Sequence, residues 1–341
     1  MPPDTNIQTT TNQFLAKFWV DQTLRDNLFF GEILARTKKW DGSQMLFPIK
    51  YQKGVSTVAF NGYDQLPTSQ NPTTVNMTFY PTFTAANVAL AGTDLSINKT
   101  NEEKVNLLET TMKARSQDAA DDVGVFFQGN GTAYGGKAPA GLGNIVDNGS
   151  NASTYGGLSR ATYPGLNDYQ TSSTTISLLL IRQVYNNIAD GRIKPNFCIT
   201  DYQTWGYVEQ LLQTFQRNTY SDFRNMDAGA GFKNDGIIWD GMVIYRDKKV
   251  TTGTFYELNT DFLEFYGLNW WEGKAVTLES KVIKGNIYST YNAANASKAF
   301  TWTGFIKAYN QGAMNGFMIM GGQLICTAPF RNGKITSIAG I

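Results

Sequence analysis

Few residues in this sequence are placed to do chemistry. Residues 131–138 read Gly-Thr-Ala-Tyr-Gly-Gly-Lys-Ala, the spacing of a phosphate loop, but Ala138 stands where a Ser or Thr would ligate magnesium. The stretch follows a helical pattern instead of a strand, and Pro139 and Gly141 oppose a helix starting there, so it reads as a glycine-rich surface loop. Asp118, Asp121 and Asp122 cluster on that helix, and carboxylates one turn apart could hold a divalent cation or share a proton. With Arg115 within pairing distance, a solvated helix face is the simpler reading. Trp270, Trp271, Tyr288 and Tyr291 could stack on bases or sugars, but without interleaved basic residues they read as core or interface aromatics.

Histidine is absent from all 341 residues. That removes the Ser-His and Cys-His nucleophile pairs and nearly every zinc site. Cys198 and Cys326 each sit inside an apolar run and read as buried thiols, with nothing to support a disulfide. No catalytic residue, cofactor or metal is expected, and the chain is not expected to be an enzyme. The 29 basic and 28 acidic residues nearly cancel, so any contact with nucleic acid would be weak and local. No apolar run is long enough to span a bilayer and no secretory signal is recognised, which points to a soluble protein without a membrane partner. The Asn-x-Thr matches at Asn76 and Asn130 are then chance.

The strongest pattern is structural. Over residues 45–51, Met45, Phe47, Ile49 and Tyr51 alternate with Leu46, Pro48 and Lys50. After a turn-rich stretch, Val75, Met77, Phe79 and Phe83 alternate with threonines and Asn76. Such alternation, bounded by Gly, Pro and Asn, predicts a long hairpin with arms of about 50 Å. Pro48 and Pro81 predict that no further strands lie beside it. An isolated ribbon is marginal in water, so its apolar face needs a surface, and a second copy of the protein could supply it. The expected subunit interface is Trp40, Met45, Phe47, Ile49, Tyr51, Phe60, Val75, Met77, Phe79 and Phe83. The ribbon residues among them are expected to be exposed in an isolated chain.

Around the ribbon the coarse reading is α+β. Residues 1–12 are polar. Residues 14–40 carry scattered aromatics (Phe14, Phe18, Trp19, Phe29, Phe30, Trp40) without a period and read as an arm. A long helix is predicted over about 100–128, capped at Thr100, with an apolar stripe of Val105, Leu108, Met112, Ala119, Val123 and Phe126, stopped at Gly129-Asn130-Gly131. Residues 131–175 read as loops. A helix through Ile176–Ile188, a buried strand over 195–200 and a helix capped by Asp201 follow. Next come a loop over 217–236 and strands over 236–245, 255–258, 275–281, 299–309 and 316–327.

This order of elements resembles the tailed-bacteriophage major capsid proteins of the Hong Kong 97 type. The arm (1–43), the extended loop (44–93) and the spine helix (about 100–128) carry the likeness. So do Lys194-Pro-Asn-Phe-Cys-Ile-Thr-Asp201 before its helix, Trp239-Asp-Gly-Met-Val-Ile-Tyr245, and the closing Thr327-Ala-Pro-Phe-Arg331. The resemblance implies a peripheral domain (94–165 and 286–341), an axial domain (166–285), and a Hong Kong 97-type α+β fold. It implies assembly with copies of itself, as hexamers and pentamers, into an icosahedral head enclosing double-stranded DNA, located in the virion and built in the host cytoplasm. With no charged helical segment ahead of the arm, a separate scaffolding protein is expected, with a portal and room for a decoration protein. Lys50 and Lys53 in the loop read as edge protection, not as crosslinking groups, since no activating carboxylate is identified. The alternatives are another virion component, from a tail or adhesive structure, and a carboxylate-dependent hydrolase.

Overall fold

A computed structural model describes residues 28–54, 57, 59–66, 72–97, 101–216, 231–233, 236–268, 274–275, 300–303, 305–307 and 312–341. The expectations for Phe14, Phe18, Trp19, the Thr100 cap, Trp270, Trp271, Tyr288, Tyr291, the loop at 217–230 and most of the strand over 275–281 lie outside these residues.

Helix α1 (Leu28–Ala35) and strand β1 (Thr37–Lys39) come first. The ribbon strands β2 (Met45–Lys50) and β3 (Thr74–Phe79) follow, then β4 (Thr82–Ala91) and the long helix α2 (Asn101–Gln128). Next are β5 (Tyr169–Ser172), α3 (Leu178–Ile188), β6 (Phe197–Thr200) and α4 (Tyr202–Gln216). The hairpin strands β7 (Gly231–Lys233), β8 (Gly236–Trp239) and β9 (Met242–Arg246) precede β10 (Phe255–Leu258) and β11 (Leu263–Leu268). Strands β12 (Lys274–Ala275), β13 (Phe300–Trp302), β14 (Ile306–Lys307), β15 (Ala313–Cys326) and β16 (Gly333–Thr336) close the chain.

The first sheet is organised by β15. One edge pairs antiparallel with β4 from Ala313–Ala91 to Gly322–Thr82; the other takes β14, β13 and β11 in turn. Gly322 lets these strands close up: a Cβ there would lie 2.3 Å from the Tyr266 carbonyl oxygen. On the core face, Val88 and Leu90 of β4 and Met318 and Met320 of β15 pack towards α2. Helix α2 spans the predicted length, but its stripe turns out differently at the end. Phe127, not Phe126, is the fully buried residue, with its ring 5.5 Å from both Phe30 and Phe265. Phe126 is half-buried against Tyr134.

The second sheet runs β5-β16-β10-β6-β9-β8-β7. Its central strands β6 and β10 are buried on both faces; β6 reads as a short apolar run accordingly, while β10 carries the buried Glu257. Cys198 and Phe255 face α3 and α4, while Phe197, Ile199, Tyr256 and Leu258 face the first core. Asp201 caps α4 as predicted, accepting from the N–H groups of Gln203 and Thr204 at 3.0 and 3.2 Å. The single strand expected over 236–245 is a hairpin, turned at Asp240 and Gly241, both at positive φ. Sheet membership crosses the expected domain limits: β11 joins the first sheet, and β16 joins the second.

Residues 28–40 are not an arm. Phe29, Phe30, Ile33, Leu34 and Trp40 are all buried in the first core, because Leu-Phe-Phe-Gly-Glu-Ile-Leu-Ala is a helix apolar on nearly every side and therefore enclosed.

Candidate assembly interface

The ribbon forms as alternation predicts, in a sheet of two strands only, with Met45 facing Phe79, Phe47 facing Met77 and Ile49 facing Val75. Its length and its partner surface differ from expectation. Each strand has six residues, about 20 Å, and the second arm breaks at Tyr80-Pro81. Beyond that break the chain enters the first sheet as β4 and the inward parity flips from Phe79 to Val88. Phe83 therefore points outward, 44% exposed.

The apolar face of the ribbon lies on its own subunit. The ring of Phe47 sits 5.5 Å from that of Tyr266, Phe79 sits 5.3 Å from Tyr155, and Tyr51 sits 5.1 Å from Tyr163, all three edge-on. Thr78 N–H donates to the Gly156 carbonyl at 2.8 Å, so backbone as well as side chains hold the seat. Trp40 and Met77 are fully buried, Phe79 nearly so, and Met45, Phe47 and Ile49 are half-buried against the same core. The ribbon residues among these were expected to be exposed in an isolated chain; the tyrosine platform, scattered through 155, 163 and 266, covers them within the subunit. Tyr51 and Val75 are likewise half-buried within the chain.

Gly156 makes the seat possible. It adopts φ +56°, and a Cβ there would lie 2.7 Å from the Met77 Cβ. Replacing it by valine is expected to cost roughly 2–4 kcal/mol through combined strain and overpacking. Thermal unfolding of unassembled subunits should show a clearly lower midpoint, and an unchanged midpoint would contradict this packing.

What remains exposed is the tip. Phe60 is 62% exposed, Leu66 57%, and Tyr63 wholly so, on a turn in which Asn61 N–H donates to Asp64 Oδ2 and Asp64 N–H to the Asn61 carbonyl, both at 2.9 Å. A second exposed apolar surface is the outer face of the first sheet, with Phe83, Ile306 and Phe317. Of the residues expected at an interface, Phe60 and Phe83 are exposed, as are Tyr63, Leu66 and Phe317, which were not among them. Contiguous exposed apolar side chains of this size are a feature of surfaces that bind another molecule.

The chemical candidates resolve structurally. Asp118 pairs with Arg115 at 3.2 Å, and Asp121 with the buried Lys249 at 2.6 Å; Asp122 is exposed. No group of metal-ligating residues forms among the described residues. Residues 131–138 form a loop after α2 with Tyr134 and Gly135 in left-handed conformations, unlike a phosphate loop leading from a strand into a helix. Cys198 and Cys326 are buried free thiols in separate cores. Among the described residues no helix is long and apolar enough to cross a membrane.

One polar cluster escaped sequence reasoning. Arg160, 1% exposed, donates to the backbone carbonyls of Asn144, Ile145, Asp147 and Leu166 and lies over the Tyr155 ring. Asp147 is fully buried. Its Oδ2 accepts from the N–H groups of Gly149, Asn151 and Ala152, and its Oδ1 accepts from Lys334 Nζ at 3.4 Å. Burial alone would raise its pKa, but these donors and the lysine charge together hold it at about 2.

A long helix beneath a sheet, a two-stranded ribbon and a second α/β lobe together make the Hong Kong 97-type fold. No protein-family model matches the chain, and no curated protein does. Solved structures do. The capsid asymmetric unit of cyanophage A-1(L) matches with a TM-score of 0.76 over 98% of this chain and 99% of that one, at 13% identity. The holo-SrpI encapsulin complex from Synechococcus elongatus PCC 7942 gives 0.58 over 98% and 94%, at 7% identity. The capsid of a native GTA particle gives 0.57 over 96% of both chains, at 9% identity. At such identities the likeness is one of fold.

Proposed function

We propose that this chain is a major capsid protein. It assembles with copies of itself, as hexamers and pentamers, into the icosahedral head of a tailed bacteriophage around double-stranded DNA. The observation that carries the reading is the fold, matched end to end by a phage capsid subunit, on a chain whose loop tip leaves Phe60, Tyr63 and Leu66 uncovered. Assembly in the host cytoplasm, a separate scaffolding protein and a portal belong to the same reading. The loop (44–93) is the contact device, residues 94–165 with 286–341 the peripheral region, and 166–285 the axial region. Residues 28–40 and β11 are counted with the peripheral core and β16 with the axial sheet. DNA contact is weak, in keeping with the net charge of +1. No catalytic role is assigned.

Expression with its neighbouring assembly proteins, followed by size-exclusion chromatography and negative-stain microscopy, tests the proposal. Closed particles are expected. A chain that stays monomeric with a scaffolding partner present, or forms only small rings, would sink it. Because the fold is shared with an encapsulin, the nucleic-acid content of the particles decides what the shell holds: double-stranded DNA in mature particles is expected, and a protein cargo alone would refute the head assignment.

A further inference from the structure

The buried cluster around Asp147 contains a second carboxylate in the opposite situation. Asp168 is 8% exposed, and neither carboxylate oxygen has a hydrogen-bond partner among the described residues. Its backbone N–H donates to the Asp147 carbonyl at 3.4 Å, which ties it to the segment that Arg160 holds together. The charged and titratable groups facing it are Lys334 of β16, Tyr256 of β10, and Arg160 and Asp147 of its own segment. The two carboxylates thus divide the available donors unequally: Asp147 takes three backbone N–H groups and the lysine, and Asp168 takes none.

An unpartnered carboxylate enclosed in protein is costly as an anion and cheap as an acid. We propose that Asp168 is a proton-operated latch between the 144–168 segment and the second sheet, closed when the carboxyl carries its proton and loosened when it is ionised. The segment runs from the end of the α2 region, and Lys334 and Tyr256 belong to β16 and β10, so the latch joins the two halves of the molecule.

Burial raises the Asp168 pKa from 3.8 to about 7, against the opposing pull of Lys334 and Arg160 and with some help from Asp147. The direction of the pH effect follows. When the latch is open, the group titrates near its ordinary value; when closed, near 7. Closure is therefore fully favoured below the lower value and weakens as pH rises, by up to tenfold per unit, until the closed-state value is passed.

The test is hydrogen exchange on the wild-type chain between about pH 5 and about pH 8, corrected for the intrinsic pH dependence of exchange, with protection read in peptides covering 144–168 and 333–336. Protection in these peptides should fall by tenfold or more across the window. Asp168→Asn, which keeps the shape and cannot ionise, should abolish the fall and hold the protected state at high pH. A wild-type profile flat across the window would overturn the proposal, whether or not the variant folds. So would an Asp168→Asn protein with the wild-type slope.

Discussion

Removing residues 54–71 and closing the ribbon with a short Asn-Gly turn should abolish shell formation while leaving a folded subunit. The ribbon's seat survives such a deletion. The ladder pairs Lys50 with Thr74, is extended by Tyr51 N–H donating to the Thr73 carbonyl at 3.0 Å, and rests on Tyr155, Tyr163 and Tyr266 outside the deleted stretch. Phe60, Tyr63 and Leu66 are lost with it, and they are exposed in the subunit, so their loss costs the fold little. Fully covering side chains of this size contributes on the order of 1.5–3 kcal/mol each, repeated at every subunit contact in a closed particle. Sedimentation velocity with circular dichroism reads both halves of the prediction. Shells that form normally without the tip would show that assembly uses some other surface; an unfolded product would show that the seat depends on the tip.

Arg160→Met should be the most damaging single substitution. The guanidinium satisfies four backbone carbonyls, those of Asn144, Ile145, Asp147 and Leu166, in a site closed to water. Methionine keeps the bulk, takes the donor from the Asn144, Ile145 and Leu166 carbonyls, leaves the Asp147 carbonyl only the longer bond from Asp168 N–H, and removes a charge from beside Asp168. Unpairing buried polar groups and one partner of a buried charge network costs about 3–5 kcal/mol. Lysine is not a remedy, because a single ammonium cannot reach acceptors spread on both sides of a planar fork. Urea unfolding of unassembled subunits should show the midpoint falling with the slope unchanged; a loss of under about 1 kcal/mol would contradict this role.

Local patterns in the sequence carried much of the fold. Two-residue alternation identified the ribbon and the face shared by Met45, Phe47 and Ile49; Gly129-Asn130-Gly131 marked the end of α2; Asp201 announced α4. What escaped depends on residues far apart in the chain. The ribbon's platform is three tyrosines over a hundred positions apart at the extremes, each unremarkable where it stands, so the ribbon seemed to need a neighbour that its own subunit provides. Strand β11 contains Glu264 and Gly267 and shows no clean alternation; its pairing with β1 on one side and β15 on the other makes it a strand. Helix α1 is apolar on too many sides to show a period. Arg160, Asp168 and Lys334 look like ordinary polar residues until folding encloses them together. Trp40 and Met77, expected at an interface, are buried within their own subunit for the same reason: alternation says which side chains share a face but not whose surface covers it.

A reconstruction of the assembled particle by electron cryomicroscopy, at a resolution that shows side chains, tests the assembly account most directly. Phe60, Tyr63 and Leu66 of each subunit should be buried against a neighbouring subunit, while Phe47, Met77 and Phe79 stay on the platform of their own chain. A tip standing free in solvent, or a ribbon lifted from its tyrosines onto a neighbour, would contradict it.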